Sequence, residues 1–476
     1  MSSIKRNIVL NFINVATSLI FPIITFPYAA RILTPEGIGI INFYQSIIGY
    51  IVLFASLGIP LYGVREVAKY RDDIKYRNKT TVELFLLSII LSLFGYIVIY
   101  VLSIYIIHEH SNIFYALSFT IFFTAIGVQW FYQAVEDFKY ITIRTVLIRV
   151  LSVIGLFVFV HDKSDLLNYA YIIVFATVGN NIINFIYLRK YIFAYFPRWK
   201  EINIAKHIKP ILYIFALNII TSLYTSLNVI MLGFMGNNEM VGYYSAGNKM
   251  SHIVLTAIAS MSTVMLPKLS NLYGQGNLTE FNRLTQKCYN TVLAFSLPCI
   301  VGILVLAKPI TLIFCGADFA PAISVLRWTS PIVCLIALSN LIGIQILYPQ
   351  GKEKIVIIST MGGAIINILF NIVLIPVFQE DGVAISTCIS ELIVLLIQIY
   401  VGRKYLPLKY YQGNLLTYMT ASAIIALILF AENVILTNDF QKIVAGIILG
   451  FLSYFFILYV RKDEVVLSII DFVKRK

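Results

Sequence analysis

Charged side chains are scarce in this chain. Asp, Glu, Lys and Arg make up 12% of its 476 residues, whereas soluble globular proteins carry about 25%. A water-soluble fold of this length could not be covered with so little polar surface, and that class is excluded. Cysteine is also sparse: Cys288, Cys299, Cys315, Cys334 and Cys388 show neither a CxxC nor a Cys/His ligand spacing. Apolar packing is expected for them, not a disulfide framework or a zinc site. Among the five histidines, His108-Glu109-His110 comes nearest to a ligand cluster, but its i, i+2 spacing at a short turn reads as a solvated loop. Neither a metal nor a cofactor is expected.

Long polar loops are missing as well. A membrane polymerase or ligase acting on lipid-linked sugars would display paired acids or His/Arg residues on a sizeable loop. The chain therefore reads as a non-enzyme without catalytic residues. The membrane glycosyl-polymerase or ligase stays as the alternative from another class.

What the sequence has is apolar length. Hydrophobic residues reach 59%, the mean hydropathy is +0.86, and apolar stretches of about 20 residues, as bilayer-spanning helices require, recur from Ile8 to Val460. Spans are expected at 8–30, 38–63, 82–107, 113–134, 141–160, 168–188, 208–234, 243–267, 288–307, 322–348, 355–378, 382–402, 413–431 and 441–460. The fold class is thus all-α and polytopic, with about fourteen transmembrane helices. Span one is long enough to cross and lacks a small-residue cleavage site, so it is expected to remain. Span two contains Gly49 and Gly58. In span nine, Lys308-Pro309 either ends the helix or lies in an interrupted one that continues to Phe314.

A net charge of +13 would suggest nucleic acid in a soluble protein, but its distribution points to a membrane instead. With the N-terminus inside, cytoplasmic segments hold 28 of the 36 Lys and Arg residues, and outer loops hold four, Arg31, Lys163, Lys308 and Lys442. This asymmetry places both termini in the cytoplasm. The clusters at Arg65–Lys79 and Arg189–Lys209 are expected to fix topology and touch anionic lipids. No nucleic-acid partner is expected.

Polar and turn-forming residues reveal a repeat that hydropathy conceals. Asn11, Asn14 and Ser18 share one face of span one, and Asn218, Thr221 and Thr225 share one face of span seven at the same spacing, 207 residues on. Pro60 recurs as Pro267. Ile126-Gly127-Val128-Gln129-x-x-Tyr132 recurs as Ile342-Gly343-Ile344-Gln345-x-x-Tyr348, and Glu36-x-x-Gly39 as Glu239-x-x-Gly242. Six spans per repeat give two halves of the same orientation, related by a pseudo-twofold along the membrane normal. Transporters with a cavity between two such halves are built this way. The division is 1–188 for the N-terminal lobe, 189–207 for a cytoplasmic linker read as a hinge, 208–402 for the C-terminal lobe, and 403–476 for a further helix pair and cytoplasmic tail.

Charges within spans are costly and mark cavities or partners. Arg144 and Arg149 on span five, Lys249 on span eight, Arg327 on span ten and Glu391 on span twelve are the candidates, with Arg31 at the boundary. Arg144 is close enough to the cytoplasmic face to snorkel. Arg31, Arg149, Lys249 and Arg327 would make a cationic cavity for an anion. Glu391 would be structural or ion-coupling. Asn11, Asn14, Asn218, Thr221, Thr225 and Asn228 would line the cavity, although such stripes also serve interhelical hydrogen bonding. Thr25, the Asn180/Asn184 pair and the Asn367/Asn371 pair extend the same pattern on spans one, six and eleven.

Five stretches, Phe26–Gly39, Gln129–Lys139, Val241–Lys249, Gln345–Lys352 and Asn367–Pro376, resemble the Wzx-type polysaccharide flippases of the MOP exporter superfamily. The resemblance implies a V-shaped two-lobed fold with a cationic central cavity in the bacterial inner membrane. It also implies transport of undecaprenyl-pyrophosphate-linked oligosaccharide units for O-antigen, capsule or related polysaccharide synthesis, with the polymerase machinery as a partner. Arg31 corresponds to the family's motif arginine. Lys249 stands where Ala or Tyr is common, and Asn228 where many relatives carry aspartate. A multidrug or small-molecule cation antiporter is the alternative within the same architecture; it would need cavity carboxylates, for which Glu391 is the candidate.

Overall fold

Backbone N–H and C=O groups within hydrocarbon have no water to bond, and a helix satisfies them internally. The computed structural model is accordingly helical, with no strand among the described residues. It describes residues 3–263, 265–406 and 414–474, with side chains placed except at 3–13, 15, 16, 19, 216–225, 259–263, 469 and 471–474. Ten helices among the described residues are long and apolar enough to cross a membrane. The chain is a multi-pass membrane protein.

Two compact units divide it, Met1–Ile230 and Met231–Lys476. The first contains α1 (Ser3–Ser56), α2 (Ile59–Lys69), α3 (Ile74–Tyr105), α4 (Ser111–Ile126), α5 (Gln129–Ala134), α6 (Phe138–Phe159), α7 (Leu166–Ile192) and most of α8 (Ala205–Met235). The second holds α9 (Asn238–Thr263), α10 (Leu266–Gly274), α11 (Leu278–Cys315), α12 (Ala322–Thr329), α13 (Ile332–Asn340), α14 (Glu353–Gly402), α15 (Leu415–Ile435), α16 (Asp439–Val460) and α17 (Glu464–Lys474). In the first unit α4 lies along α7, and α1 packs on α4 and α6; in the second α11 lies against α13, α15 and α16.

Spans one and two are two helices that meet within α1 at Thr34, with φ 62° and ψ 171°, inside the gap expected between them. The following Pro35 favours that extended ψ. Spans eleven and twelve join in the same way within α14 at Gln379, φ 54° and ψ −128°. Pro60 does not close span two. It sits in the first turn of α2, where a missing N–H costs nothing, and Pro267 does the same in α10. Span nine runs through Pro309 to Cys315, so Lys308-Pro309 does not end it. The tail contains α17, an amphipathic helix that hydropathy alone did not indicate. Asp463 fixes its start, accepting from Tyr418 Oη at 2.9 Å, Asn414 Nδ2 at 3.0 Å and Val465 N at 2.9 Å.

The most specific sequence repeat falls where helices are irregular. In the first unit Gly127 and Val128 separate α4 from α5, with Val128 at φ 34°. In the second, Leu341–Leu347 forms a π-helix around Gly343. Each motif glycine faces an amide side chain. A Cβ on Gly127 would collide with Asn181, and one on Gly343 would come within 3.2 Å of Gln398 Nε2. Asn181 and Gln398 are 217 residues apart, one more than the 216 that separate Gly127 from Gly343. The break at Gly127 is satisfied from α7, since Asn184 Nδ2 donates to the Gly127 carbonyl at 2.6 Å and Tyr132 Oη donates to the Asn184 carbonyl at 2.6 Å.

Gly127→Ala is expected to destabilise the first unit by about 1–3 kcal/mol through overpacking, and Asn181→Ala in the same chain should recover most of that loss. Thermal unfolding in detergent reads both; equal melting of Gly127→Ala and the native chain would show that the contact is slack.

Candidate functional site

The polar face of α1 and the arginine of α6 meet within the first unit. Arg149 Nη1 donates to the Asn14 carbonyl at 3.0 Å, to Thr17 Oγ1 at 2.6 Å and, at 3.5 Å, to Asn14 Oδ1. Thr17 Oγ1 in turn donates to the Asn14 carbonyl at 3.0 Å. The Thr17 hydroxyl thus gives its proton to a carbonyl and one lone pair to the guanidinium. These acceptors are neutral oxygens, so they orient the guanidinium without cancelling its charge. Arg149 is half-buried, as a group that shares a helix interface with a polar space would be. Thr17 was not part of the expected stripe. Its i+3 relation to Asn14 was available as a signal, but a threonine in an apolar helix seldom stands out.

Arg144, one turn earlier on α6, does not snorkel. It is 4% exposed, its three nitrogens lack hydrogen-bond partners, and its guanidinium lies 5.2 Å from the centre of the Tyr140 ring. Tyr140 packs against Tyr187 and Tyr132, at 4.3 and 4.8 Å between ring centres. The rings lie toward the start of α6, with that of Tyr140 against the guanidinium. Cation–π contact is the attraction this site supplies.

The remaining candidates are distributed as follows. Arg31 is exposed on α1, three residues before the break at Thr34. Lys249 is half-buried on α9, Asn228 is buried on α8, and Glu391 is buried on α14. Arg327 is exposed in the last turn of α12, and Ser18 is exposed on α1. The side chains of Asn11, Asn218, Thr221 and Thr225 lie outside the described residues. Arg149, Asn14 and Arg31 thus belong to the first unit with Asn228, whereas Lys249, Arg327 and Glu391 belong to the second.

Other polar stripes serve packing. Asn184 satisfies the α4–α5 break, and Asn371 Nδ2 donates to Asn367 Oδ1 at 3.2 Å, also approaching Met231 Sδ at 3.7 Å. Thr25 bonds its own helix at the Phe21 carbonyl. His108, Glu109 and His110 are exposed, and the Glu109 carbonyl accepts from Tyr44 Oη at 2.6 Å, as fits a loop turn.

Helices of this length, in two compact units with irregularities at a repeated motif, form a fold that solved membrane transport proteins share. A solved lipid II flippase MurJ in an inward closed conformation superposes with a TM-score of 0.76 at 18% identity, over 96% of this chain and all of that one. An inward-facing multidrug resistance MATE transporter of the MOP superfamily gives 0.64 at 16% identity, over 81% and 93%. Residues 4–273 match the family described as polysaccharide biosynthesis protein, and residues 213–373 match MatE. The chain belongs to the polysaccharide biosynthesis protein family, in agreement with the Wzx-type motifs. A relative in Shigella dysenteriae, described as a candidate O-antigen transporter, is 25% identical over 397 residues, covering 82% of this chain and 98% of the relative.

Charge-assisted hydrogen bonds contribute about 1.5–3 kcal/mol each, so Thr17→Val should lower stability measurably in the native chain and hardly at all once Arg149 is methionine. A double-mutant cycle by thermal unfolding measures the coupling; strict additivity would show that the 2.6 Å contact carries no energy.

Proposed function

We propose that this protein transfers undecaprenyl-pyrophosphate-linked oligosaccharide units from the cytoplasmic to the outer leaflet of a bacterial inner membrane. It would do so by alternating access, for O-antigen, capsule or related polysaccharide synthesis. The observation that carries the reading is Arg149, held by neutral oxygens of α1 so that its charge remains available to an anion. A pyrophosphate leaving water needs several fixed cations, because an unpaired charge in a low-dielectric site is prohibitively costly. Arg31, Lys249 and Arg327 are the partners assigned to Arg149. Asn11, Asn14, Asn218, Thr221, Thr225 and Asn228 are assigned to the sugar path, and Glu391 to structural pairing or ion coupling.

Family membership and the candidate O-antigen transporter relative support this substrate class over a drug or cation, and over polymerisation. Among the charges within spans, cations outnumber the carboxylates Glu83 and Glu391, and Glu83 is taken up by Lys206 and His207, the wrong balance for a cation antiporter. The lipid tail stays in the bilayer, the basic cytoplasmic clusters hold anionic lipids, both termini lie in the cytoplasm, and the polymerase machinery receives the product.

The test is deletion of the gene with identification of the lipid-linked oligosaccharide that accumulates inside, followed by complementation. The native chain should restore export, and a chain with both Arg149→Gln and Lys249→Gln should restore less than about one-tenth of it, the loss of two charge-assisted contacts. Full export by that double variant, at native abundance in the membrane, would remove these residues from the site.

A further inference from the structure

The segment between α7 and α8 is bonded at both ends to the cytoplasmic end of a single helix, α3. Where it leaves α7, Asn78 Nδ2 donates to the carbonyls of Tyr191 at 2.8 Å and Tyr195 at 2.9 Å. Where it enters α8, Glu83 receives the amide of Asn203 on Oε1 at 2.8 Å. Its other oxygen receives Lys206 Nζ at 2.8 Å and His207 Nε2 at 2.9 Å. Asn78 and Glu83 are both 0% exposed. Between the two ends, the Tyr195 hydroxyl donates to Glu201, which holds that carboxylate below its usual range. Lys75 lies 5.7 Å from the Tyr195 ring centre and Lys206 lies 5.6 Å from that of Tyr76.

The hydrogen-bond pattern at Glu83 is self-consistent. His207 Nδ1 is 2.8 Å from Tyr62 Oη. A neutral ring that gives its Nε2 proton to Glu83 has Nδ1 free to accept from the tyrosine, so each atom has a complementary partner. One carboxylate and one lysine then cancel in charge, and Lys206 keeps a third of its side chain in solvent. A buried carboxylate with three donors of this kind is expensive to break, because removing it strands the imidazole N–H and a backbone N–H.

We propose that Glu83 is a positioning residue for transport: with Asn78 it straps the connection between the two sequence repeats to α3, fixing where and in what direction α8 begins. The connection therefore does not absorb displacement, as a hinge would, but passes it to α8. Ile211 in the second turn of α8 is buried in the same cluster as Ile59, Tyr62 and Trp130, and its carbonyl lies close to Gly58. The start of α8 is thus part of the first unit's core. The strap stands on this geometry alone; its effect on turnover rests on the transport reading above.

Two measurements on the full-length, cysteine-substituted chain test it. Spin labels at Asp72 and Lys200, both exposed, should give one narrow distance distribution in liposomes for the native strap and a broadened one for Glu83→Gln. Oligosaccharide flipping by Glu83→Gln should fall about tenfold with the amount of folded protein unchanged. A second variant, Glu83→Cys with Asn203→Cys, should show the same defect when reduced and recover to within about twofold of native after a short bis-maleimide joins the two thiols. A narrow distribution in Glu83→Gln, or arrest of flipping by the cross-link, would overturn the strap. A native chain that flips no lipid-linked oligosaccharide would instead overturn the transport reading, with the distance measurement still deciding the strap.

Discussion

The charged groups of α3 and α6 answer to one constraint: in hydrocarbon, a donor or charge without a partner costs several times what its hydrogen bond would contribute in water. The apolar helices follow from it, and so does the placing of the exceptions. Arg149 is tolerated because α1 offers it a carbonyl and a hydroxyl. Arg144 is tolerated because tyrosine faces surround it. Glu83 sits where α3 emerges, and three donors converge on it. The three residues use different partners: for Arg149 and Glu83 another helix supplies them, and for Arg144 the ring comes from its own helix.

That constraint links fold to transport. A carrier for a pyrophosphate must keep positive charge inside a membrane without letting protein carboxylates neutralise it. Neutral acceptors achieve this: they orient the guanidinium of Arg149 and leave its field intact. Carboxylates are used where the requirement is opposite. Glu83 is consumed by its donors, and what it contributes is a fixed direction for α8. On the proposed reading, binding and mechanical roles would be separated by the chemistry of the acceptor, neutral oxygen at Arg149 and carboxylate at Glu83.

Much of the helical architecture was legible because apolar length is a property of composition along the chain. The family was legible from short motifs such as Phe26–Gly39. The breaks at Thr34 and Gln379 fall in the gaps expected between spans, whereas the short helix that Pro60 opens inside span two had no hydropathy signal of its own. Side-chain partners were the least legible. Arg144 looked free to snorkel because depth along a helix can be counted from sequence, whereas the tyrosines that cover it come partly from α7. Glu83 and His207 are 124 residues apart, and each lies at the edge of a span where charge is ordinary, so nothing local marked them as partners.

The repeated Ile-Gly-x-Gln-x-x-Tyr motif shows what the two halves have kept. Their backbones differ: one breaks at a left-handed Val128 and restarts as α5, the other passes through a π-helix. The tyrosines differ too, Tyr132 being buried and bonded to α7 while Tyr348 is exposed. What persists is a glycine pressed against an amide side chain, Asn181 in one half and Gln398 in the other. In the first half the amide that faces the glycine packs the irregular turn, while Asn184, three residues further along α7, supplies the donor that the Gly127 carbonyl needs, since a backbone group left open at membrane depth must find a partner within the protein.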